Sequence, residues 1–281
     1  MQKIMLACVT AVVTVNSVFA DTKTMDRIRF FDTFSTDAVR LDSPFIEIGA
    51  AHKEFENGSS VPFQIRAGFP ITTNIDIEAS LGGINVDPDF AREQMDVNDF
   101  SLVGRYHFLD FKPANLSVGM RFDFPTGDDD QGQDTLEFEA FGAIRIPVNE
   151  KVVTASHLGF GYIETHELTR ANFNTLLNVM YTGNGVVGST PGTRIKNEGE
   201  FAFFANSSIM YEYNSKLHFT GEFSGDTGHD VGYFSSGVDY EVIPNGRLRF
   251  AVGAGFGNRA PEYVVQGGFL FNFGNLLNPR P

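Results

Sequence analysis

The 281-residue chain carries 21 Lys and Arg against 35 Asp and Glu, a formal charge of −14. No basic stripe exists to neutralise phosphates, which excludes nucleic acid as a partner; solubility accounts for most of the acidity. Hydrophobic residues make up 42%, with 29 Phe and no Trp, and beyond residue 20 no apolar run is long enough for a membrane helix. That does not exclude a membrane protein built of strands, whose hydrophobicity hides in alternation.

Residues 1–20 read as a signal peptide. Lys3 supplies the basic start, Ile4 to Val15 the apolar stretch, and Val18-Phe19-Ala20 a small-residue cleavage site before Asp21. The only cysteine, Cys8, leaves with it, so no disulfide, thiolate metal site or cysteine nucleophile is expected. The remaining balance is 20 basic against 35 acidic residues, or −15. A secreted chain without cysteine fits a bacterial envelope better than a small disulfide-stapled domain. Residues 21–43 have few strand signals, and either lie in the periplasm or fold into the barrel as a plug.

From Pro44 to Phe273 the pattern has a period of two, which means β-strand. The first strand is expected near Pro44–Lys53, followed by a loop over Glu54–Ser60. Phe63, Ile65, Ala67 and Phe69 then share one face, and after a turn at Pro70–Asn74 so do Ile75, Ile77, Ala79 and Leu81. A polar connection at Asn85–Asp96 precedes a strand with Phe100, Leu102, Tyr106 and Phe108 outward and Asp99, Ser101, Arg105 and His107 inward. Leu116 to Phe124 answers it after a turn at Leu109–Pro113.

Past the acidic loop Pro125–Asp134, Phe138, Ala140, Ile144 and Ile146 oppose Glu137, Glu139 and Arg145. A turn at Pro147–Lys151 leads to Leu158, Phe160 and Tyr162, with His157, Gly159 and Gly161 behind. Glu164 to about Glu198 is the longest connection. Glu200–Tyr213 is a strand of ambiguous facing, and Leu217–Phe223 follows the turn at Asn214–Lys216. After the loop Ser224–Asp230, Phe234 to Val242 and Leu248 to Phe256 flank the tight turn Pro244-Asn245-Gly246. Tyr263, Val265, Phe269, Phe271 and Phe273 close the series, and residues 274–281 trail as a tail.

Short turns near residues 70, 110, 148, 214 and 245 alternate with long loops near 90, 130 and 180. An outer-membrane barrel sorts its connections this way, with short periplasmic turns and long external loops. The expected fold is therefore all-β: a transmembrane antiparallel up-and-down barrel over 44–273, of about twelve strands, with periplasmic termini. Recurrent Phe near strand ends fits the aromatic girdles of such barrels.

Charge cost sets which face is which. A Lys or Arg facing lipid costs about 2–4 kcal/mol at the midplane, whereas opposite charges across a strand pair stabilise by about 0.2–1 kcal/mol. Arg66, Glu78, Arg105, Arg121, Glu139 and Arg249 are thus expected to line the lumen. Counting outward from each turn pairs Arg66 with Glu78, Arg121 with Glu139, and Glu241 with Arg247. Such ladders either only hold the barrel together or also line a narrow polar passage.

No cofactor, metal or catalytic set is expected. Asp128, Asp129, Asp130 and Asp134 lack the spacing of a calcium loop, and His229 between Asp226 and Asp230 reads as loop chemistry. Ser156 and His157 point to opposite faces, which leaves no nucleophile–base pair to single out.

Several stretches resemble the outer-membrane transporter family associated with the meta pathway of phenol degradation. They are Phe34 to Val39 with Phe45-Ile46-Glu47-Ile48-Gly49, then Asp99-Phe100-Ser101-Leu102-Val103-Gly104-Arg105-Tyr106, then Phe124-Pro125-Thr126-Gly127-Asp128 and the hairpin that follows to Tyr162. The resemblance implies an outer-membrane channel for small solutes, hydrophobic or aromatic ones among them. Lipid and the barrel-assembly machinery are the other expected partners. The alternative is a non-conducting structural or surface-interaction barrel that uses Glu164–Glu198 as an adhesive loop.

Overall fold

The computed structural model describes residues 37–274, apart from 56–57, 89–93, 98, 109–110, 112–113, 128–135, 170–193, 228–230 and 258–259. The signal peptide, most of 21–43, the tail beyond Gly274, Asp128 to Asp134, and His229 with Asp230 lie outside the described residues.

Alternation becomes thirteen strands: β1 (Phe45–Phe55), β2 (Gly58–Pro70), β3 (Ile75–Pro88), β4 (Gln94–Val97), β5 (Phe100–Phe108), β6 (Asn115–Phe124), β7 (Glu137–Asn149), β8 (Val152–Thr169), β9 (Arg194–Asn214), β10 (Leu217–Asp226), β11 (Val231–Ile243), β12 (Gly246–Gly257) and β13 (Tyr263–Asn272). All pair antiparallel in the ring order β2-β1-β13-β12-β11-β10-β9-β8-β7-β6-β5-β3, and pairing of β2 with β3 closes it. The four-residue β4 pairs only with β3, so twelve strands form the wall. Closure leaves no unpaired edge in that wall, which a hydrocarbon environment requires.

The short turns, the start of β1 and the end of β13 share one end of the barrel, and the longer connections leave from the other. Side chains shape the short turns. Asn214 Oδ1 accepts from Lys216 N at 2.9 Å and Leu217 N at 3.0 Å. Asn245 has φ of 67° beside Pro244, whose ring presets the preceding position, as in a type II turn. Thr72 Oγ1 accepts from both Asn74 N and Ile75 N.

That last turn corrects one expected pairing. It is centred on Thr73, so Pro70 pairs with Asp76 and Arg66 lies opposite Ser80. Glu78 instead lies opposite Gly68. The slip is two residues, so inward and outward faces are unchanged. Arg121 does lie opposite Glu139, and Glu241 opposite Arg247.

Strands also run further than expected at the loop end. Glu164 to Thr169 pair with Gly199 to Arg194, inside the segment read as the longest connection. The connection expected at Asn85–Asp96 is likewise partly strand, as is the loop Glu54–Ser60.

The wall sorts by parity. Ile65, Leu81, Leu158, Phe160, Phe203 and Phe250 point out and are exposed. β9, whose facing the sequence left open, turns Phe201, Phe203, Ile209 and Tyr211 outward. Near the turn end Tyr106 and Phe108 meet edge-on at 5.1 Å, and near the loop end Tyr162 meets Phe201 at 5.7 Å. An apolar band flanked by aromatic groups matches the outer surface of a lipid-embedded barrel.

At the turn end the lumen has an apolar floor. Phe45, Val153, Ala155, Met210 and Leu270 point inward and are buried. Residues 37–41 enter here as a strap: Asp37, Ala38, Val39 and Leu41 are buried, and Leu41 packs with Phe45 and Leu270. Asp37 reaches Arg145 at 2.6 Å, and Leu41 N donates to Asp76 at 3.2 Å. Arg40 donates to the carbonyl of Thr73.

Candidate functional site in the barrel lumen

The inner wall carries ionised groups in clusters. In the first, Arg105 on β5 reaches Asp76 at 2.6 Å and Glu78 at 3.3 Å, both on β3. His107 Nε2 also meets Asp76, at 2.8 Å. β3–β5 register puts Arg105 directly opposite Asp76, which is why one guanidinium spans two carboxylates a turn of the pleat apart. The strap joins this cluster through Leu41.

The second cluster spans the seam between chain ends. Arg249 on β12 meets Glu47 on β1 at 2.5 Å and Asp239 on β11 at 3.3 Å. Arg66 on β2 approaches the same Glu47 at 3.6 Å, and its Nε donates to Gln64 at 2.6 Å. Arg247 pairs with Asp239 and with Glu241, the latter at 3.2 Å, and approaches His218 Nδ1 at 2.9 Å.

In the third, Arg121 turns along its own strand to Asp123 at 3.0 Å, although Glu139 is its cross-strand partner. Glu139 meets His157 Nε2 at 2.8 Å, and His157 Nδ1 lies 2.9 Å from Asn206. Ser101 donates to Asp123.

All six residues singled out from the sequence therefore face inward, but in three separate clusters. Arg105 and Glu78 fall in one, Arg66 and Arg249 in another, and Arg121 and Glu139 in the third. Sequence reading did not single out Asp76, Glu47, Asp239 and His218, although alternation placed Asp76 and Asp239 on the charged face. Asp37 was named only within the stretch Phe34 to Val39 and given no partner, because it lies outside any strand and Arg145 is 108 residues away.

Burial here is deep: Arg105 and Asp76 side chains are 0% and 1% exposed. Breaking such a pair from one side strands the remaining charge at a cost of about 3–5 kcal/mol. Arg105→Gln is thus expected to lower unfolding stability by about that amount, read by urea titration of the refolded barrel. A change under about 1 kcal/mol would mean that the cluster is hydrated.

Towards the loop end the lumen opens into two neighbouring lobes. One, of ≈440 Å³, is lined by Glu47, Lys53, Arg66 and Arg249 among others, with Tyr233 and Val264 as apolar wall. The other, of ≈260 Å³, is lined by Arg121, Asp123, Glu137, Glu139 and Asp226, with Ile163 and Phe204. Ser224 and Val231 border both. This vestibule can admit small polar solutes against charged walls.

No known family model matches the sequence, and no curated protein sequence matches it either. The fold is similar to solved structures. An outer membrane channel from Pseudomonas putida F1 aligns with a TM-score of 0.60 at 11% identity, over 86% of this chain and 99% of that one. The NanC porin aligns at 0.53 with 8% identity, over 81% and 99%. The KdgM porin, solved in complex with disordered oligogalacturonate, aligns at 0.52 with 9% identity, over 81% and 99%. At these identities the likeness is one of fold.

Proposed function

We propose that the chain is a passive outer-membrane channel for small solutes. The observation that carries the reading is the vestibule: its charged inward residues border space, while the opposite face of the same strands is apolar. A barrel that served only as a scaffold would not need a charged chamber open towards one end. The solved barrels of like fold are an outer membrane channel and porins, which supports the same reading. In this orientation the short turns face the periplasm and the long connections face outside.

The charged wall favours solutes that carry polar or ionised groups, so aromatic solutes with such substituents suit it better than plain hydrocarbons. Residues 37–41 act as a periplasmic plug that narrows the exit. Liposomes containing the purified protein are expected to swell in small sugars and amino acids faster than empty ones. Equal swelling would reject the channel.

A further inference from the structure

The larger lobe owes its space to missing side chains. Cross-strand register sets Arg249, Gly268, Gly49 and Gln64 in one inward-facing row over β12, β13, β1 and β2. With no side chain at Gly268, the Arg249 guanidinium crosses β13 to reach Glu47 on β1. The two glycines leave a flat backbone floor, with Ala51 beside it and Pro62 and Val264 at its rim. Tyr233 leans along the wall: a Cβ at position 253 would lie 2.5 Å from its hydroxyl oxygen and 2.7 Å from its ring. One side of that ring thus covers Gly253, and the ring also borders the lobe.

Charge around this floor is balanced, and its groups are held. Lys53, Arg66, Arg247 and Arg249 stand against Glu47, Glu222, Asp239 and Glu241. Each guanidinium meets at least one of those carboxylates. A free ion of either sign therefore finds repulsion beside attraction, and displacing one partner of a buried pair strands the other. What the rim does offer is hydrogen bonding. Glu47 Oε2 is buried at the lobe and accepts no hydrogen bond among the described residues, although Arg66 stands 3.6 Å from it. Gln64 Oε1 accepts from Arg66 Nε at 2.6 Å, and the Gln64 amide nitrogen has no partner among the described residues. A complementary group must donate to Glu47 and accept from Gln64. A hydroxyl does both.

We propose that the larger lobe is a binding site for neutral sugars. One ring lies with its C–H face on Gly49 and Gly268, and Tyr233 closes the side. Its hydroxyls donate to Glu47 Oε2 and accept from the Gln64 amide. An ionised sugar of the same shape meets the balanced charges without gain and gives up hydration to do so. A plain aromatic ring fits the floor but leaves Glu47 and Gln64 desolvated without partners, which costs binding. The volume of ≈440 Å³ lies within the range of small-molecule sites, about 300–1,000 Å³, and suits a mono- or disaccharide.

The proposal rests on the vestibule of the channel reading, but binding and flux are measured separately. Glucose, glucuronate and glucosamine (protonated at mildly acidic pH) share one ring and differ in charge. Ala51→Leu fills the lobe from a position that already carries a side chain, and the heat-dependent gel shift of a folded barrel checks its fold. Saturation-transfer NMR is read on the full chain in a detergent without a sugar headgroup. Ala51→Leu is expected to cut transfer to glucose several-fold, and transfer to the two charged sugars far less. Gly49→Ala is expected to give a smaller loss in the same order, and serves if the leucine variant does not fold. Its methyl would meet no atom closer than the Gly267 carbonyl oxygen at 3.4 Å. Glucose transfer unchanged by both substitutions, or charged sugars that lose as much as glucose, would overturn the proposal. Loss of glucose transfer in the variants, with no liposome swelling by any form, would support the site and reject the channel. Swelling by all forms, with glucose transfer insensitive to substitution, would reject the site and leave the channel standing.

Discussion

Substituting Asn for Asp37 is expected to release the strap and raise single-channel conductance several-fold. The Asp37–Arg145 pair is almost wholly withdrawn from solvent, at 0% and 1% exposure, and spans 2.6 Å. Removing the carboxylate takes an ionised partner from a buried guanidinium, at up to about 3–5 kcal/mol. Against that, burial of Val39 and Leu41 contributes about 1.5–3 kcal/mol each. Ordering the strap opposes it by about 1–2 kcal/mol per residue. The attachment is thus marginal, and the ion pair decides it. Arg145→Asp is expected to open the barrel in the same way, and combining it with Asp37→Arg to close it again. Unchanged conductance in all three variants would show that the strap does not restrict the passage.

The second large effect concerns the outer face. Ile65 lies mid-strand on β2 and points out, half exposed, whereas its neighbour Gln64 borders the vestibule. Ile65→Arg is expected to cost about 2–4 kcal/mol of stability in a bilayer, because the guanidinium must sit in hydrocarbon or drag water to it. Gln64→Glu places an ionised side chain at the vestibule that still accepts from Arg66 Nε, which donates to Gln64 at 2.6 Å, and is expected to change stability by less than about 1 kcal/mol. Urea unfolding of both variants in lipid vesicles checks the contrast. Similar losses at the two positions would contradict the assignment of faces.

The wall was legible in the sequence where lipid imposes a pattern. Ile65 against Gln64, or Phe250 against Arg249, could not be exchanged without burying charge in hydrocarbon, so alternation survives there. Beyond the apolar band nothing enforces it, and the strand ends at Glu164–Thr169 and Arg194–Gly199 read as loop. β9 was ambiguous because Phe203 and Phe204 are both aromatic although they face opposite ways.

Register was less legible than facing. It depends on turn centres, and the Thr72 hydroxyl moves one centre by a residue, which shifts Arg66 from Glu78 to Ser80. The inward charges were legible as a set, but their sorting into three clusters depends on which strands close the ring. The strap was legible only as one of two options for residues 21–43, a plug or a periplasmic segment, since its contacts with Asp76, Arg145 and Leu270 are set by the finished barrel.

Planar-bilayer recording of the wild-type chain beside the Asp37→Asn variant tests the central claim most directly. The account predicts stepwise ion currents from both, larger in the variant. Bilayers that contain the folded protein yet pass no current in either form would contradict the claim that this charged lumen is a passage.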